Sequence, residues 1–197
     1  KRGPKWFLRL DPQDQKALLG TFLGAHTGSW GAFLFRYIAT DSAEEQAECA
    51  RVFERWSRAA QASDGTIRVD VLDMLPRPLR EREARRHLFH CPALQSKPEQ
   101  RLAYARLLSF GEAKEVLGPF LGHPEGEERE RAQRFLIATV QHDRASMSDA
   151  LAHAKARKFE QDPVRRAILE TFSSLPLTRY ESSHLEAVGA IVLDALD

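Results

Sequence analysis

The stretch with the greatest chemical potential in this sequence is REREARRHLFHC, residues 80–91, which combines four arginines with two histidines and one cysteine. Guanidinium groups bind phosphates and carboxylates well, because they present several N–H donors in a fixed plane. Together with Arg77 just before it, the stretch predicts a basic binding cluster. The candidate binding residues are Arg77, Arg80, Arg82, Arg85, Arg86, His87 and His90.

The end of the same stretch also raises the question of a metal site. His87 and Cys91 are four residues apart, so a helix would place them on one side, and His90 could join them. A closed zinc site needs four ligands, and no second Cys or His pair lies nearby in the sequence. Cys91 also continues an apolar stripe that starts at Ala84. We therefore predict a cysteine in the core, no bound metal and no cofactor.

The arginines of residues 80–91 are interleaved with acids. Glu81 precedes Arg85 by four residues and Glu83 precedes Arg86 by three, and such intrahelical pairs are typical of solvated helix faces. We expect the arginines on the face opposite Ala84, where they would meet water, a protein surface or a phosphate backbone. Single-stranded nucleic acid would also require exposed aromatic rings between the charges.

A second basic cluster lies near the predicted junction of two later helices, and it consists of Lys155, Arg157, Lys158, Arg165 and Arg166. It could extend the first cluster along a concave surface. Alternatively, positive side chains bind the last carbonyl groups of a helix and interact favourably with its dipole. For the first three of these residues we favour that capping role.

Catalytic motifs are missing from the sequence. It contains no GxxxxGK[ST] phosphate loop, no GxGxxG, no GxSxG and no HExxH. Folding can assemble a site from distant residues, but such a site needs an enclosed polar pocket with perturbed acids or histidines. The sequence therefore favours a non-catalytic protein and leaves an enzyme as the third alternative.

Composition restricts the partners and the compartment. The 197 residues carry a net charge of +1, so there is no overall basic excess of the kind that phosphate binding favours. Two cysteines do not make a disulfide framework, which predicts a reducing compartment and a cytoplasmic location. The chain begins at Lys1 rather than Met, so we expect that it can be a fragment of a larger protein.

One segment resembles a membrane span at first sight. Residues 17–35 contain no charged side chain, and Gly20, Gly24 and Gly28 recur at every fourth position. The middle of the segment is nevertheless polar and turn-forming, from His26 to Gly31, and interrupts the apolar run. We predict two short helices joined by a glycine-rich turn, and no membrane contact.

The chain as a whole is predicted to be all-α. Alanine and leucine together number 50, against 13 for valine and isoleucine, which favours helix over strand. Helix starts are indicated by Ser-x-x-acid patterns and by Asp-Pro pairs. These signals are Ser42/Glu45, Ser96/Glu99, Ser146/Asp149, Ser183/Glu186, Asp11-Pro12 and Asp162-Pro163. The eleven predicted helices lie near 11–25, 30–39, 42–62, 66–75, 79–92, 97–110, 112–121, 127–141, 146–159, 162–175 and 182–196.

Apolar stripes recur along these helices at a spacing of about one helix pair. The stripe that begins at Ala132 starts 36 residues before the stripe that begins at Ile168. Two helices with two short turns have about this length, and self-similarity at such a period indicates a helical repeat array.

Residues 162–175, DPVRRAILETFSSL, resemble a helix of the HEAT-like (armadillo-type) repeat proteins in their opening Asp-Pro-Val-Arg and the spacing of Ile168 and Phe172. In the equivalent place of residues 127–158, Glu128 stands where the valine is expected. The resemblance covers residues 79–197 well and residues 1–78 poorly, so we predict one array with a divergent N-terminal cap.

The resemblance implies a right-handed superhelical solenoid of stacked antiparallel helix pairs. It also implies a non-catalytic scaffold that binds another protein, or another domain of the same chain. Some members of the family bind nucleic acid, and the alternative here is contact between phosphates and the arginines from Arg77 to Arg86. Fold alone does not decide between these functions.

The first 37 residues hold seven of the 17 aromatic residues: Trp6, Phe7, Phe22, Trp30, Phe33, Phe35 and Tyr37. Aromatic residues are enriched at protein interfaces. They would equally close the open end of a repeat array. The sequence leaves these two roles open.

Overall fold

In the computed structural model, which describes residues 11–38 and 41–194, all regular elements are helices and none is a strand, as predicted. The α-helices are α1 (Pro12–Ala25), α2 (Ser29–Leu34), α3 (Ala43–Ala60), α4 (Val69–Leu72), α5 (Arg77–His90), α6 (Pro92–Gln95), α7 (Pro98–Leu102), α8 (Phe110–Leu121), α9 (Gly126–Ala138), α10 (Met147–Lys155), α11 (Asp162–Ser174) and α12 (Leu185–Asp194). Short 3₁₀ turns lie at Phe35–Tyr37, Ala103–Leu107, Thr139–Gln141, Arg144–Ser146, Leu177–Arg179 and Ser182–His184.

The chain divides into two compact units, Lys1–Glu83 and Ala84–Asp197. The boundary falls inside the sequence of α5. Among the described residues, no helix combines the length and the apolar character needed to cross a membrane. The uncharged segment 17–35 instead contributes to two separate helices, α1 and α2, as predicted.

An aromatic cluster forms the core of the first unit. Phe53 and Trp56, on the buried stripe of α3, meet Phe35 with ring centroids 5.4 and 5.3 Å away. All three side chains are buried, and the predicted stripe from Cys49 through these two residues is confirmed. The indole Nε1–H of Trp56 donates to the carbonyl of His26 over 3.1 Å, so the ring has both apolar contacts and a hydrogen bond.

The second unit is built by helices that pack on near neighbours in the chain. Helix α9 packs against α8 and α11, and α10 packs against α12. The stripes that predicted this packing are buried, with Leu136 fully enclosed and Ile168 nearly so. Two side-chain contacts join residues 36 positions apart: Arg134 to Glu170 at 2.9 Å, and Ser148 Oγ to His184 Nε2 at 3.3 Å.

Two predicted helix starts are formed as expected. Ser42 and Glu45 make a reciprocal capping box, in which each side chain bonds the other residue's backbone N–H. Asp11 caps α1 by accepting from the backbone N–H of Gln13, with Pro12 as the first helical residue. Both arrangements satisfy backbone donors that the first turn of a helix leaves without partners.

The remaining predicted starts are displaced or lack the side-chain bond. The Ser96 prediction is wrong, because Lys97 is the N-cap of α7 and Pro98 opens it. The Ser183 prediction is also wrong, because residues 182–184 form a 3₁₀ turn that Glu181 and His184 cap. Ser146 does precede α10, but its side chain makes no capping bond.

Two further helix starts differ from the prediction in detail. Asp162 is the first residue of α11, and Gln161 precedes it as the N-cap. Ser109 caps α8 through the backbone N–H of Glu112, at 3.4 Å. This Ser-x-x-Glu pattern divides the predicted helix 97–110 from the next one, and the prediction missed it.

Replacing Ser42 with alanine should lower the free energy of unfolding by about 1 kcal/mol, because one half of the capping box is lost. The matched control is Ser96→Ala, which removes an exposed hydroxyl that caps no helix and should change stability by less than about 0.5 kcal/mol. Urea unfolding followed by far-ultraviolet circular dichroism measures both values. Equal losses in the two variants would contradict the assigned helix starts.

Candidate interaction surfaces

The three α5 arginines in the first unit all contact protein groups. Arg77 Nε donates to Glu81 Oε1 over 2.8 Å. Arg80 Nη1 donates to the Leu75 carbonyl over 3.3 Å. The Arg82 guanidinium carbon lies 4.6 Å from the centre of the Phe53 ring, close enough for a cation–π contact.

The expectation that Arg80 lies on the outer face of the helix is wrong. Its side chain is only 5% exposed, as is that of Glu83, which was also expected to face water. Burial lowers the pKa of the Arg80 guanidinium, with the charge of Glu81 acting in the opposite direction. A long side chain can bury its methylene groups while its N–H donors reach a carbonyl. A hydrophobicity pattern does not predict the burial of such a residue, because it counts arginine as polar.

In the second unit, α5 presents its charged groups mainly to other protein groups. Arg85 forms a two-pronged ion pair with Glu112, with N–O distances of 2.6 and 2.7 Å. Arg86 Nη2 lies 3.2 Å from His87 Nε2. The His87 ring is fully buried and stacks on Tyr104 at 4.3 Å, so it is not presented to a partner at the surface. His90, by contrast, is exposed.

The buried face of this half of α5 is as predicted, because Ala84, Leu88 and Cys91 are all buried. The sulfur of Cys91 therefore belongs to the core. Within residues 11–38 and 41–194, no group of three or more His, Cys, Asp or Glu side chains is arranged to hold a metal ion.

A phosphate approaching α5 would compete with these internal contacts. Glu81 already accepts from Arg77, and Glu112 already accepts from both donors of Arg85. Ion pairs of this kind are weak when exposed, but a two-pronged arginine–carboxylate pair is the strongest form of them. The predicted binding role of this cluster remains a prediction.

Among the N-terminal aromatic residues, the structure distinguishes two environments. Phe35 is in the core, whereas Trp30 is 48% exposed and stacks on Phe33 at 5.7 Å. Trp6 and Phe7 lie outside the described residues.

Three open grooves of the second unit meet at the end of α10, and all three are lined by Ala156. We call this region the α10 surface and define it by Lys114, Ala152, Lys155, Ala156, Lys158, Phe159 and Leu193. Ala152 and Ala156 are small and exposed, so they leave an open floor between longer side chains.

Two large apolar side chains stand out from the α10 surface. Phe159 is 90% exposed and Leu193 is 65% exposed. The Lys158 ammonium lies 4.7 Å from the centre of the Phe159 ring. Neither side chain was predicted to be exposed, although the position of Phe159 between basic residues and an Asp-Pro helix start was a usable signal.

The basic residues here do not act as the predicted carbonyl caps. The last carbonyls of α10 accept from backbone instead: Ala156 N–H donates to the Ala152 carbonyl, and Arg157 N–H donates to the Ala154 carbonyl. Arg157 pairs with Glu160 at 3.5 Å. Among the described residues, no carboxylate lies within ion-pair distance of Lys155 or Lys158.

The two remaining members of the second basic cluster differ in their surroundings. Arg165 Nη2 donates to the carbonyl of Asp194, and its Nη1 lies 3.9 Å from Asp162. Arg166 is exposed.

His153 lies under this surface and is buried. Its Nε2 is 2.8 Å from the Oε1 of buried Gln133, so the neutral ring donates its proton to that oxygen. Burial, together with smaller effects of the positive charges of Arg157 and Lys114, lowers the pKa of His153 to about 4. The ring is therefore a neutral structural group at pH 7.

This arrangement predicts a loss of stability in acid. The folded chain binds the His153 proton more weakly than the unfolded chain, whose pKa is 6.5, so unfolding takes up a proton between pH 6.5 and about 4. The stability that comes from keeping His153 neutral in the folded chain is fully present above pH 6.5. It is lost as the pH falls from 6.5 toward 4. Allowing for partial solvation of the ring, we expect about 2 kcal/mol.

The measurement is the free energy of unfolding of wild type and of His153→Gln across this pH range. The variant removes the titrating group, so the wild type should lose about 2 kcal/mol more than the variant between pH 7 and pH 4. Parallel pH profiles for the two proteins would contradict the assignment.

Comparison of the chain with protein-family models, with curated proteins and with solved structures finds no match.

Proposed function

We propose that this chain is a non-catalytic, HEAT-like helical-repeat scaffold that binds another protein or another domain of the same chain. The proposal rests on the α10 surface, where Phe159 and Leu193 are exposed to solvent although the core residues of the same unit are buried. Large apolar side chains exposed among polar residues are typical of protein-binding sites.

The packing of the second unit supports a repeat architecture. Alternate helices pack on each other, α9 on α11 and α10 on α12. The Arg134–Glu170 pair and the Ser148–His184 contact each join residues that are 36 positions apart. This is the same spacing as between the apolar stripes that begin at Ala132 and Ile168. We propose that these helices form stacked antiparallel pairs in a right-handed superhelix, which buries a continuous core and leaves a long surface for partners.

We place this scaffold in a reducing compartment such as the cytoplasm. Both cysteines are buried free thiols, and burial raises the pKa of Cys49, against a smaller opposing effect of Arg82. A buried thiol with a raised pKa is a small apolar side chain and not a reactive group.

The test is affinity capture with the full chain as bait, compared with the double variant Phe159→Asp/Leu193→Asp. Partners of the scaffold should be recovered with wild type and depleted at least tenfold with the double variant, because the variant places charges in the apolar contact. The control is Leu177→Asp, which alters an exposed leucine outside the α10 surface and should recover the same partners.

Two results would overturn the proposal. One is capture that is the same for wild type and for the double variant. The other is tight binding of labelled DNA or RNA that weakens steeply between low and physiological salt and is lost when Arg82 and Arg85 are replaced by alanine, since that dependence is the signature of phosphate contacts. The second result would establish the nucleic-acid alternative.

A further inference from the structure

We infer that the α10 surface binds an acidic peptide segment that carries a large apolar side chain. The inference rests on the proposed scaffold function and assigns it a place and a partner chemistry. The charge of the surface, its shape and its exposed aromatic ring favour such a ligand.

Charge selects an acidic partner. Lys114, Lys155 and Lys158 are all exposed around the floor formed by the alanines, and the described residues place no carboxylate within ion-pair distance of them. The nearby carboxylate of Glu160 is already paired, with Arg129 at 3.1 Å and with Arg157 at 3.5 Å. Among the described residues, Asp149 and Asp194 also line these grooves, so the three lysines leave a positive excess of one charge at this surface for a ligand.

Shape leaves room for a peptide. The floor consists of Ala152 and Ala156, and the grooves that meet there run toward α8, toward the turn after α8 and toward α12. Small residues let a second backbone or a bulky side chain approach closely. A peptide that crosses this floor would reach both the groove lined by Phe159 and the groove lined by Leu193, and its apolar side chain would cover exposed apolar surface in one of them.

The same surface is poorly suited to a nucleic-acid strand. Asp149 and Asp194 line two of its three grooves, so negative charges interrupt the basic residues. A phosphate backbone requires a continuous positive track with several stacking rings, and here Phe159 is the one fully projecting ring of the described surface. A peptide needs only a few matched charges and one apolar contact.

The experiment is selection from a display library of random peptides about twelve residues long, with the 197-residue chain as the target. The enriched peptides should contain Asp or Glu around a large apolar residue. For a synthetic copy of the best one, fluorescence anisotropy should show binding weakened at least tenfold by Lys155→Glu/Lys158→Glu, and severalfold by Phe159→Ala.

Matched variants control for charge and folding. Lys97→Glu/Arg166→Glu makes the same change of net charge at exposed positions outside the α10 surface and should bind like wild type. Lys155→Arg/Lys158→Arg keeps the positive charge and should retain binding. Circular dichroism establishes that each variant is folded.

The inference is overturned if no peptide is enriched, if the enriched peptides are basic or uncharged, or if Lys155→Glu/Lys158→Glu binds as tightly as wild type. It is also overturned if single-stranded RNA or DNA displaces the peptide from wild type and itself requires the two lysines. Acidic peptides that bind independently of these lysines would refute this site, while the scaffold function would stand on the capture experiment.

Discussion

Replacing Gly31 with alanine should unfold the first unit under conditions in which the wild type is stable. A Cβ atom at this buried position would overlap the carbonyl oxygen of His26 and would lie 2.8 Å from Trp56 Nε1. These two groups are hydrogen-bonded to each other, so neither can move without losing the bond or disturbing the cluster around Phe53. We expect a loss of about 3 kcal/mol in the free energy of unfolding.

Gly28→Ala is the matched control for this variant. A Cβ atom at Gly28 meets no atom within 4 Å, and the residue has an ordinary negative φ of −87°. Alanine is only a somewhat poorer N-cap than glycine, so the loss should stay below about 1 kcal/mol. Guanidinium unfolding followed by circular dichroism distinguishes the variants. If the Gly31→Ala protein were as stable as the Gly28→Ala protein, the close approach of the Gly31 backbone to the carbonyl of His26 would be incorrect.

Replacing Leu136 with alanine should destabilise the second unit by about 3 kcal/mol. This side chain is completely buried on α9, the helix that packs against both α8 and α11. The substitution removes apolar contacts and leaves a cavity that the surrounding helices fill only in part. Thermal unfolding should show a midpoint lowered by several degrees.

Leu193→Ala provides the comparison, because it removes the same atoms from a side chain that is 65% exposed. Its effect on stability should be below about 0.5 kcal/mol. If the two leucine variants were equally stable, the assignment of Leu136 to the core would be wrong.

The helices were largely predictable from the sequence because their apolar spacing directly reflects burial. The stripe of Cys49, Phe53 and Trp56 and the stripe of Ala84, Leu88 and Cys91 are buried as the spacing predicts. A two-residue shift, about 200° around the helix, would have exposed them, so the pattern has one consistent solution.

The surfaces were less predictable, because they depend on contacts between residues far apart in sequence. Arg85 makes its two-pronged ion pair with Glu112, 27 residues further along the chain, and no local spacing predicts that partner. Arg80 was assigned to solvent by its charge, although its methylene groups and donors find partners in the core. The residue type of Phe159 favours a core position, and only its basic neighbours and the following Asp-Pro pair point to the exposure that the folded chain shows.

The distribution of tryptophan makes the two units optically distinct. All three tryptophans, Trp6, Trp30 and Trp56, precede residue 84, so intrinsic indole emission originates entirely from the first unit. Trp56 is enclosed, and Trp30 is half in water. The first unit is therefore expected to emit both at shorter wavelength, from Trp56, and at longer wavelength, from Trp30. Tryptophan fluorescence would report the unfolding of the first unit alone, whereas far-ultraviolet circular dichroism averages over the helices of the whole chain.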